Sequence, residues 1–310
     1  MTARSIGPDA KFETAIAQLR AQVERHLDAA TPGEPSPTKL AEAMRYSLLA
    51  PGKRARALLT ILSAAHCGAE QKYAFNAACA LEMVHASSLI LDDLPAMDDA
   101  AMRRGRPTCH RAFGEATAVL AAIALMNRAF GLVAADADLP PERRVQIVAI
   151  LAKSIGTDGL TGGQEGDLNG VSLSAAEGVE WIHARKTGAL FAAATEMGAV
   201  VAGAFEHRAA MYVFGMNLGL AFQAFDDLLD ARAISPAIGK DTGRDVGKAT
   251  RVKLLGFDHA LDHADAQMRA ALRSLPGGGT AGHALTLYIA SLTQAMRGAL
   301  DGAEAPAHHA

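Results

Sequence analysis

The sequence predicts an all-α protein, and three observations carry that expectation. Half of the 310 residues are hydrophobic and a fifth are charged, enough apolar surface for a large core and too much for global disorder. Aromatic residues make up only 5%, and the remaining apolar content, mainly Ala, Leu, Val, Ile and Met, suits helices packed at close range better than sheets. Apolar residues also recur at helical spacing along most of the chain, and no strand-like alternation of four or more residues competes.

Taken in order, residues 1 to about 12 read as a loose arm. Phe12, Ile16, Leu19, Val23 and Leu27 then mark one face of a helix over Lys11–Ala30. Pro32, Gly33, Pro35 and Pro37 make 31–38 a loop. A helix over Lys39–Leu49 stops at Pro51 and Gly52, and helical periodicity resumes over Lys53–Cys67. Further helices are expected over Gln71–Leu94, Ala112–Ala135, Pro141–Gly156, Ser174–Gly203, Glu206–Ala231, Gly256–Leu275 and His283–Leu300. The pattern describes about ten helices in one domain spanning 1–310, with a flexible connection at Gly277–Gly279. The tail from about 302 to 310, with His308 and His309, is expected to fray rather than bind metal.

Thirty basic and 33 acidic residues leave a net charge of -3, so no global positive field draws the chain to nucleic acid or an anionic membrane. The three cysteines, Cys67, Cys79 and Cys109, are far apart with no CxxC pair, which suits reduced thiols in the cytoplasm and argues against sulfur-bound metal. Asp9, Lys11 and Glu13 interrupt any signal-like apolar run at the N-terminus. The most apolar stretch, Ala116–Ala135, contains Asn127 and Arg128 and reads as a buried core helix rather than a membrane span.

Two acidic constellations carry the chemistry. In Asp92-Asp93-Leu94-Pro95-Ala96-Met97-Asp98-Asp99, four carboxylates fall within eight residues at the end of an almost wholly apolar helix. Leu81, Met83, Val84, Leu89, Ile90 and Leu91 surround that helix on every side, so it belongs in the interior with its acidic end facing a cavity. At about 100° per residue, His85 and Asp92 lie within about 20° of one face. Pro95 ends or kinks the helix and lets Asp98 fold back towards Asp92. Oxygen-only ligands with no His or Cys beside them select a hard cation, most plainly Mg²⁺, which keeps waters and completes its shell from substrate phosphates. A solvated helix-end cluster is the alternative for this motif taken alone.

In Gln223-Ala224-Phe225-Asp226-Asp227-Leu228-Leu229-Asp230, Gln223, Asp226 and Asp230 lie within about 60° of one another, with Asp227 on the shoulder. Three aspartates with no Lys or Arg at helical pairing distance do not resemble a solvated face, where opposite charges intersperse. Two such helices pointing inward define a metal-filled cleft. Basic clusters surround these motifs in sequence: Lys53, Arg54 and Arg56; Arg103, Arg104 and Arg106; Arg185 and Lys186; Lys240, Arg244 and Lys248. Each adjoins a glycine (Gly52, Gly105, Gly188, Gly239) that lets backbone approach a bulky anion, and arginine offers forked donors for phosphate. Acidic helices ringed by cations describe a diphosphate site, and no GxxxxGK[ST] or GxGxxG signature offers a nucleotide fold instead.

At these residues the chain resembles the trans-isoprenyl diphosphate synthases, most of all the bacterial geranylgeranyl diphosphate synthases of carotenoid formation, over roughly residues 40 to 260. Its carriers are Pro51-Gly52-Lys53-Arg54-Ala55-Arg56, His85 to Asp99, Arg103-Arg104-Gly105-Arg106-Pro107-Thr108, Gly163-Gln164, Lys186-Thr187-Gly188, Phe222 to Asp230 and Gly239-Lys240-Asp241. The resemblance implies a helical bundle around a deep central cavity. It implies that Asp92, Asp98 and Asp226 ligate Mg²⁺ on the allylic diphosphate, with Asp93, Asp227 and Asp230 in support. Arg103, Lys186, Thr187, Gln223 and Lys240 would hold that diphosphate. Gly52, Lys53, Arg56, His85 and Arg104 would hold isopentenyl diphosphate. It also implies a homodimer. Leu91 stands where many relatives have His, and Ala100 and Ala101 replace further acids, features that suit the carotenoid-type subgroup.

The implied reaction is a Mg²⁺-dependent head-to-tail condensation, with metal and cations stabilising the departing diphosphate and apolar walls keeping water from the allylic fragment. Ser87 and Ser88, one to two turns before Asp92, are small where fifteen-carbon synthases commonly carry an aromatic floor, which points to a twenty-carbon product, with farnesyl diphosphate as the alternative. A terpene cyclase needs no isopentenyl site, which Lys53, Arg56 and His85 oppose. A silent interaction subunit is expected to have lost acidic residues, and both motifs here are complete.

Overall fold

The computed structural model describes residues 10–31, 38–233, 250–277 and 280–302, and fourteen α-helical segments account for most of them. They are α1 (Ala10–Ala30), α2 (Lys39–Leu48), α3 (Ala55–His66), α4 (Phe75–Asp92), α5 (Cys109–Phe113), α6 (Glu115–Ala134) and α7 (Pro141–Ile155). After these come α8 (Leu160–Asn169), α9 (Ala175–His183), α10 (Ala189–Ala202), α11 (Arg208–Ala233), α12 (Arg251–Leu255), α13 (Phe257–Ser274) and α14 (Thr280–Gly302). Residues 1–9, 32–37, 234–249, 278–279 and 303–310, which include most of the expected arm, loop and tail, most of the Gly277–Gly279 connection and the Lys240 cluster, lie outside the described residues.

The centre of the bundle is α4. Twelve of its eighteen residues are buried, with Leu81, Met83 and Val84 fully enclosed, each such side chain contributing about 1.5–3 kcal/mol relative to exposure. It packs against α6, α3 and α10, while α10 packs on α3, α7 and α11, and α11 on α13. A single buried apolar cluster runs from Leu19 to Leu300. Close crossings depend on glycines: a Cβ at Gly198 of α10 would stand 2.5 Å from the Ser63 Cβ and 2.7 Å from the Ala64 nitrogen of α3. A Cβ at Gly219 of α11 would stand 2.8 Å from the Gly188 Cα.

Several boundaries differ from the sequence reading for identifiable reasons. The third helix begins at Ala55, not Lys53, because Arg54 is left-handed with φ 51°. The region expected as one helix over Ala112–Ala135 splits at Gly114, whose φ is 87°. Ser174–Gly203 remains one helical rod but holds a π turn at Ala184–Gly188 between α9 and α10. Two elements were not anticipated near the site. The α8 sequence LTGGQEGDLN has three glycines and little apolar periodicity. A two-residue hairpin pairs β1 (Met102–Arg103) with β2 (Arg106–Pro107), closing on Arg104 and Gly105 at φ 52° and 74°, the left-handed pair that a type I′ turn requires.

The expectation that Ala116–Ala135 is a core helix is corrected. Helices α4 and α6 are both long and apolar enough to cross a membrane by composition, but α4 is enclosed, whereas only 33% of the apolar window of α6 is buried. Its outer face exposes Leu120 and Ile123, and the neighbouring α7 exposes Val145.

The packing predicts opposite outcomes for two Gly→Ala changes. Gly198→Ala places a methyl into α3 and should lower stability by about 1–3 kcal/mol. Gly298→Ala on α14, where no neighbour lies within 4 Å, should raise it by about 0.4–1 kcal/mol through the unfolded chain. Urea unfolding of both variants checks this, and equal effects would contradict the packing account.

Candidate active site

Because α4 is buried on all sides, its acidic end has a fixed place. The helix ends at Asp92, and the following loop folds back on it: the Asp98 N–H donates to the Asp92 carbonyl at 2.9 Å and the Ala100 N–H to the Asp93 carbonyl at 3.0 Å. This is the return of Asp98 towards Asp92 that Pro95 suggested. The loop then enters the hairpin, anchored by the Thr108 hydroxyl donating to the Ala100 carbonyl at 2.7 Å.

Two cavities meet along α4. The larger, ≈ 950 Å³, is lined by Arg56, His85, Ser88, Leu89, Leu91, Asp92 and Met97 on one side and by Leu160, Gln164, Leu168, Lys186, Thr187 and Leu190 on the other. The second, ≈ 830 Å³, is lined by Gly52, Lys53, Arg56, Glu82, His85, Arg104, Phe191 and Phe222. Arg56 and His85 belong to both and form the boundary.

In the first cavity, the Asp92 carboxylate accepts from Gln164 Nε2 at 2.7 Å and stands 3.5 Å from Lys186 Nζ, which also contacts Asp167 at 2.7 Å. Lys186 and Thr187 reach this place because they sit on the π turn, whose extra residue re-aims them from the rod. The Thr187 hydroxyl donates to Gln223 Oε1 at 2.6 Å, and Gln223 Nε2 donates to Asp227 at 2.9 Å, tying the second acidic motif to the first. Gln164 entered the sequence reading only within a motif, and Asp167 not at all. They are three residues apart on α8, and the glycines that hid that helix allow its approach: a Cβ at Gly163 would stand 2.6 Å from the Lys186 nitrogen.

In the second cavity, Arg56 Nη1 lies 3.2 Å from His85 Nε2. A guanidinium only donates, so Nε2 is the acceptor and His85 carries its proton on Nδ1. Burial, reinforced by Arg56 and Arg104, holds His85 well below the ordinary histidine range, so it is neutral at pH 7. Burial also lowers Arg56, opposed by the charges of Glu82 and Asp226. Arg104 Nη1 donates to the Pro51 carbonyl at 3.1 Å. A Cβ on Gly52 would lie 2.8 Å from that same nitrogen, so a side chain here would displace the guanidinium from its present position.

The basic clusters divide by role. Arg54 is buried and donates to the Leu48 and Ala50 carbonyls. Arg185 stacks 3.8 Å from the Trp181 ring, and Arg106 sits 4.0 Å over Tyr46. Arg103 makes a forked bond to buried Asp93, with contacts of 2.7 to 2.9 Å. Burial acts against the Arg103 charge, but Asp93, with Asp92 and Asp98 nearby, outweighs it. Gly188 serves helix packing and Gly105 the hairpin turn, which corrects the expectation that both admit an anion.

Asp226 and Asp230 on α11 are solvent-accessible and do not line either cavity, although Phe222, one turn before Asp226, does. Burial of the surrounding site, with the charges of Asp230 and Asp227, raises Asp226 to about 6, against the opposing fields of Lys53 and Arg56. These oxygen donors fit a hard cation such as Mg²⁺, and Asp92, Asp98, Asp226 and Asp230 are the residues that could hold it. Among the described residues no three acidic, His or Cys groups converge closely enough to hold an ion unaided. His183 stands 3.8 Å from Asp227 but burial lowers it to about 4, so the contact is not an ion pair at neutral pH.

The two serines separate. Ser88 lines the larger cavity, whereas Ser87 is fully buried and donates to the Ala122 carbonyl of α6 at 2.8 Å. The expectation that Ser87 faces the cavity is therefore corrected: the 100° step between neighbours turns it towards α6.

Comparison with known proteins agrees with this geometry. The protein-family model for polyprenyl synthetase matches residues 37–283. A geranylgeranyl diphosphate synthase of Pantoea ananas is 42% identical, over 89% of this chain and 91% of its own, and one of Pseudescherichia vulneris is 39% identical, over 85% and 88%. Among solved structures, an FPP/GFPP synthase from Zymomonas mobilis superposes with a TM-score of 0.80 at 32% identity, covering 90% of this chain and 97% of that one. A geranyltranstransferase from Thermotoga maritima gives 0.75 at 29% identity, covering 92% and 99%. The chain therefore belongs to the polyprenyl synthetase family and is a prenyltransferase.

Proposed function

We propose that this prenyltransferase condenses isopentenyl diphosphate head-to-tail with an allylic diphosphate and releases the twenty-carbon geranylgeranyl diphosphate, using Mg²⁺. The carrying observation is the pair of adjoining cavities, one combining Asp92, Lys186 and apolar walls, the other lined by Lys53, Arg56, neutral His85 and Arg104. Two anion sites sharing a wall suit two diphosphate substrates, and a terpene cyclase has no use for the second.

Mg²⁺, when bound, supplies Lewis-acid stabilisation of the departing diphosphate. The chain's own residues do the rest. Lys186, held between Asp92 and Asp167, and Thr187, fixed by Gln223, address the allylic diphosphate oxygens. Arg103, set by Asp93, and Lys240, outside the described residues, complete that set. Arg56 and the Nδ1–H of His85 address isopentenyl diphosphate from the far side of the shared wall. Leu89, Leu91, Leu160 and Leu190 enclose the allylic tail and exclude the water that quenches an ionised fragment to an alcohol.

The twenty-carbon assignment rests on the names of the two bacterial relatives and on the small Ser88 in the cavity wall; farnesyl diphosphate is the alternative product. Homodimerisation is supported by the apolar outer face of α6, with Leu120, Ile123 and, on α7, Val145. A cytoplasmic setting is supported by three free thiols at Cys67, Cys79 and Cys109, and one catalytic domain by the single buried apolar cluster from Leu19 to Leu300.

The metal assignment predicts that Asp92→Ala lowers turnover by at least ~10²-fold, as loss of a charge-stabilising element does elsewhere, while circular dichroism stays unchanged. Asp226→Asn should lower it likewise and also raise the melting temperature without Mg²⁺ at pH 7.5. The Asp226 carboxyl titrates near 6 instead of 3.8, so its stabilising contribution is present at low pH and lost as pH rises through about 6. The difference between variant and wild type should therefore shrink towards pH 4. Equal melting temperatures at both pH values, or near-normal turnover of either variant, would contradict the assignment.

The separation of the serines predicts that Ser88→Phe shifts the product to fifteen carbons while ionisation chemistry persists. Ser87→Phe should instead lower stability through overpacking against α6, by about 1–3 kcal/mol or more. Chromatography of dephosphorylated products, with thermal unfolding, decides it; a product shift from Ser87→Phe in a protein of wild-type stability would reverse the assignment.

A further inference from the structure

The cavity assigned to isopentenyl diphosphate contains a carboxylate that the reaction does not explain. Glu82 lines it beside Lys53, Arg56, His85 and Arg104, and a negative charge there opposes binding of an anion. Its side chain is 5% exposed, and its partners are groups of the chain itself, of which Arg54 also lines the cavity. Glu82 Oε1 accepts the N–H of Ala57, in the first turn of α3, at 3.1 Å. Its Oε2 lies 3.8 Å from Arg54 Nη1.

Both partners belong to the segment that presents the substrate cations. Arg54 is a non-glycine residue held at φ 51° and ψ 34° immediately before α3, with no side-chain cap of its own on that helix. Such a conformation persists only when its surroundings over-determine it. Here the guanidinium donates to the Leu48 and Ala50 carbonyls at the end of α2, 2.9 Å each, and approaches Glu24 of α1 at 3.8 Å. A carboxylate from α4 thus replaces the missing cap on α3 and neutralises the arginine that closes α2. Lys53 precedes the clamped Arg54, and Arg56 precedes the clamped Ala57. His85 follows Glu82 by three residues on α4, so one helix face sets the imidazole and, through the clamp, both cations.

We propose that Glu82 is a positioning residue for isopentenyl diphosphate, acting through Arg54 and the Ala57 N–H to hold Lys53 and Arg56 at the spacing the diphosphate needs. The inference rests on the reading that this cavity takes isopentenyl diphosphate.

Steady-state kinetics with both substrates varied tests it, comparing Glu82→Gln with Lys53→Ala. The glutamine keeps an acceptor for Ala57 and loses the charge facing Arg54. It should raise KM for isopentenyl diphosphate about tenfold, because a small displacement of positioning groups is costly, with kcat and KM for farnesyl diphosphate within about twofold of wild type. A merely structural role would instead lower kcat or raise both KM values together, and that result overturns the proposal. If Lys53→Ala raises KM for isopentenyl diphosphate and Glu82→Gln does not, the clamp is wrong while the site stands. If Lys53→Ala has no effect, the site reading itself fails. The double variant Arg54→Met with Glu82→Met removes both charges together, so no buried charge is left unpaired. It should show the same selective rise, and a wild-type KM in it also overturns the proposal.

Discussion

The site depends on one constraint: a helix enclosed on every side ends in carboxylates that must face a cavity. Helix α4 cannot rotate or slide without exposing Leu81, Met83 and Val84, so Glu82, His85, Ser88 and Asp92 keep fixed positions relative to one another. His85 borders both cavities and Asp92 the larger one. In the proposed reaction the distance between the two substrates is thereby set by the seven-residue spacing from His85 to Asp92. Helix α11 has the complementary role, bringing Asp226 close enough to Lys53 and Arg56 to feel their charges.

The basic residues of the region divide between the scaffold and the cavity walls. Arg54 and Arg185 are committed to the scaffold, one to carbonyls and the other to an aromatic face. Arg103 is committed to Asp93, which fixes the loop that carries Asp92 and Asp98. Arg56 and Lys186 stand in the cavity walls, and each has a partner that sets its direction: His85 for Arg56, and Asp167 for Lys186. Asp226 retains a raised pKa despite the nearby charges of Lys53 and Arg56, and its oxygens, with those of the neighbouring aspartates, suit the chemistry of a divalent ion.

Much of this was legible in the sequence because burial and charge have strong signatures. An apolar helix ending in four aspartates, and an apolar helix carrying three more, cannot be ordinary surface, and the 100° step already aligned His85 with Asp92. Other features were hidden by residue choice. The glycines that let α8 approach Lys186 are the same glycines that erase its helical pattern. Nothing local marks the π turn that re-aims Lys186 and Thr187, because it depends on what α9 and α10 pack against. Whether Ser87 or Ser88 faces the cavity depends on the placement of α6, and the apolar content of α6 itself does not distinguish a core from an exposed face.

The proposed reaction requires that two diphosphate sites share the wall formed by Arg56 and His85. Incubation of the purified protein with farnesyl diphosphate, radiolabelled isopentenyl diphosphate and Mg²⁺, followed by dephosphorylation and chromatography, tests it most directly. Label is expected in the twenty-carbon alcohol, with no incorporation when Mg²⁺ is chelated. Ionisation of farnesyl diphosphate to unlabelled alcohols or cyclic hydrocarbons, with no label incorporated at any chain length, would contradict it.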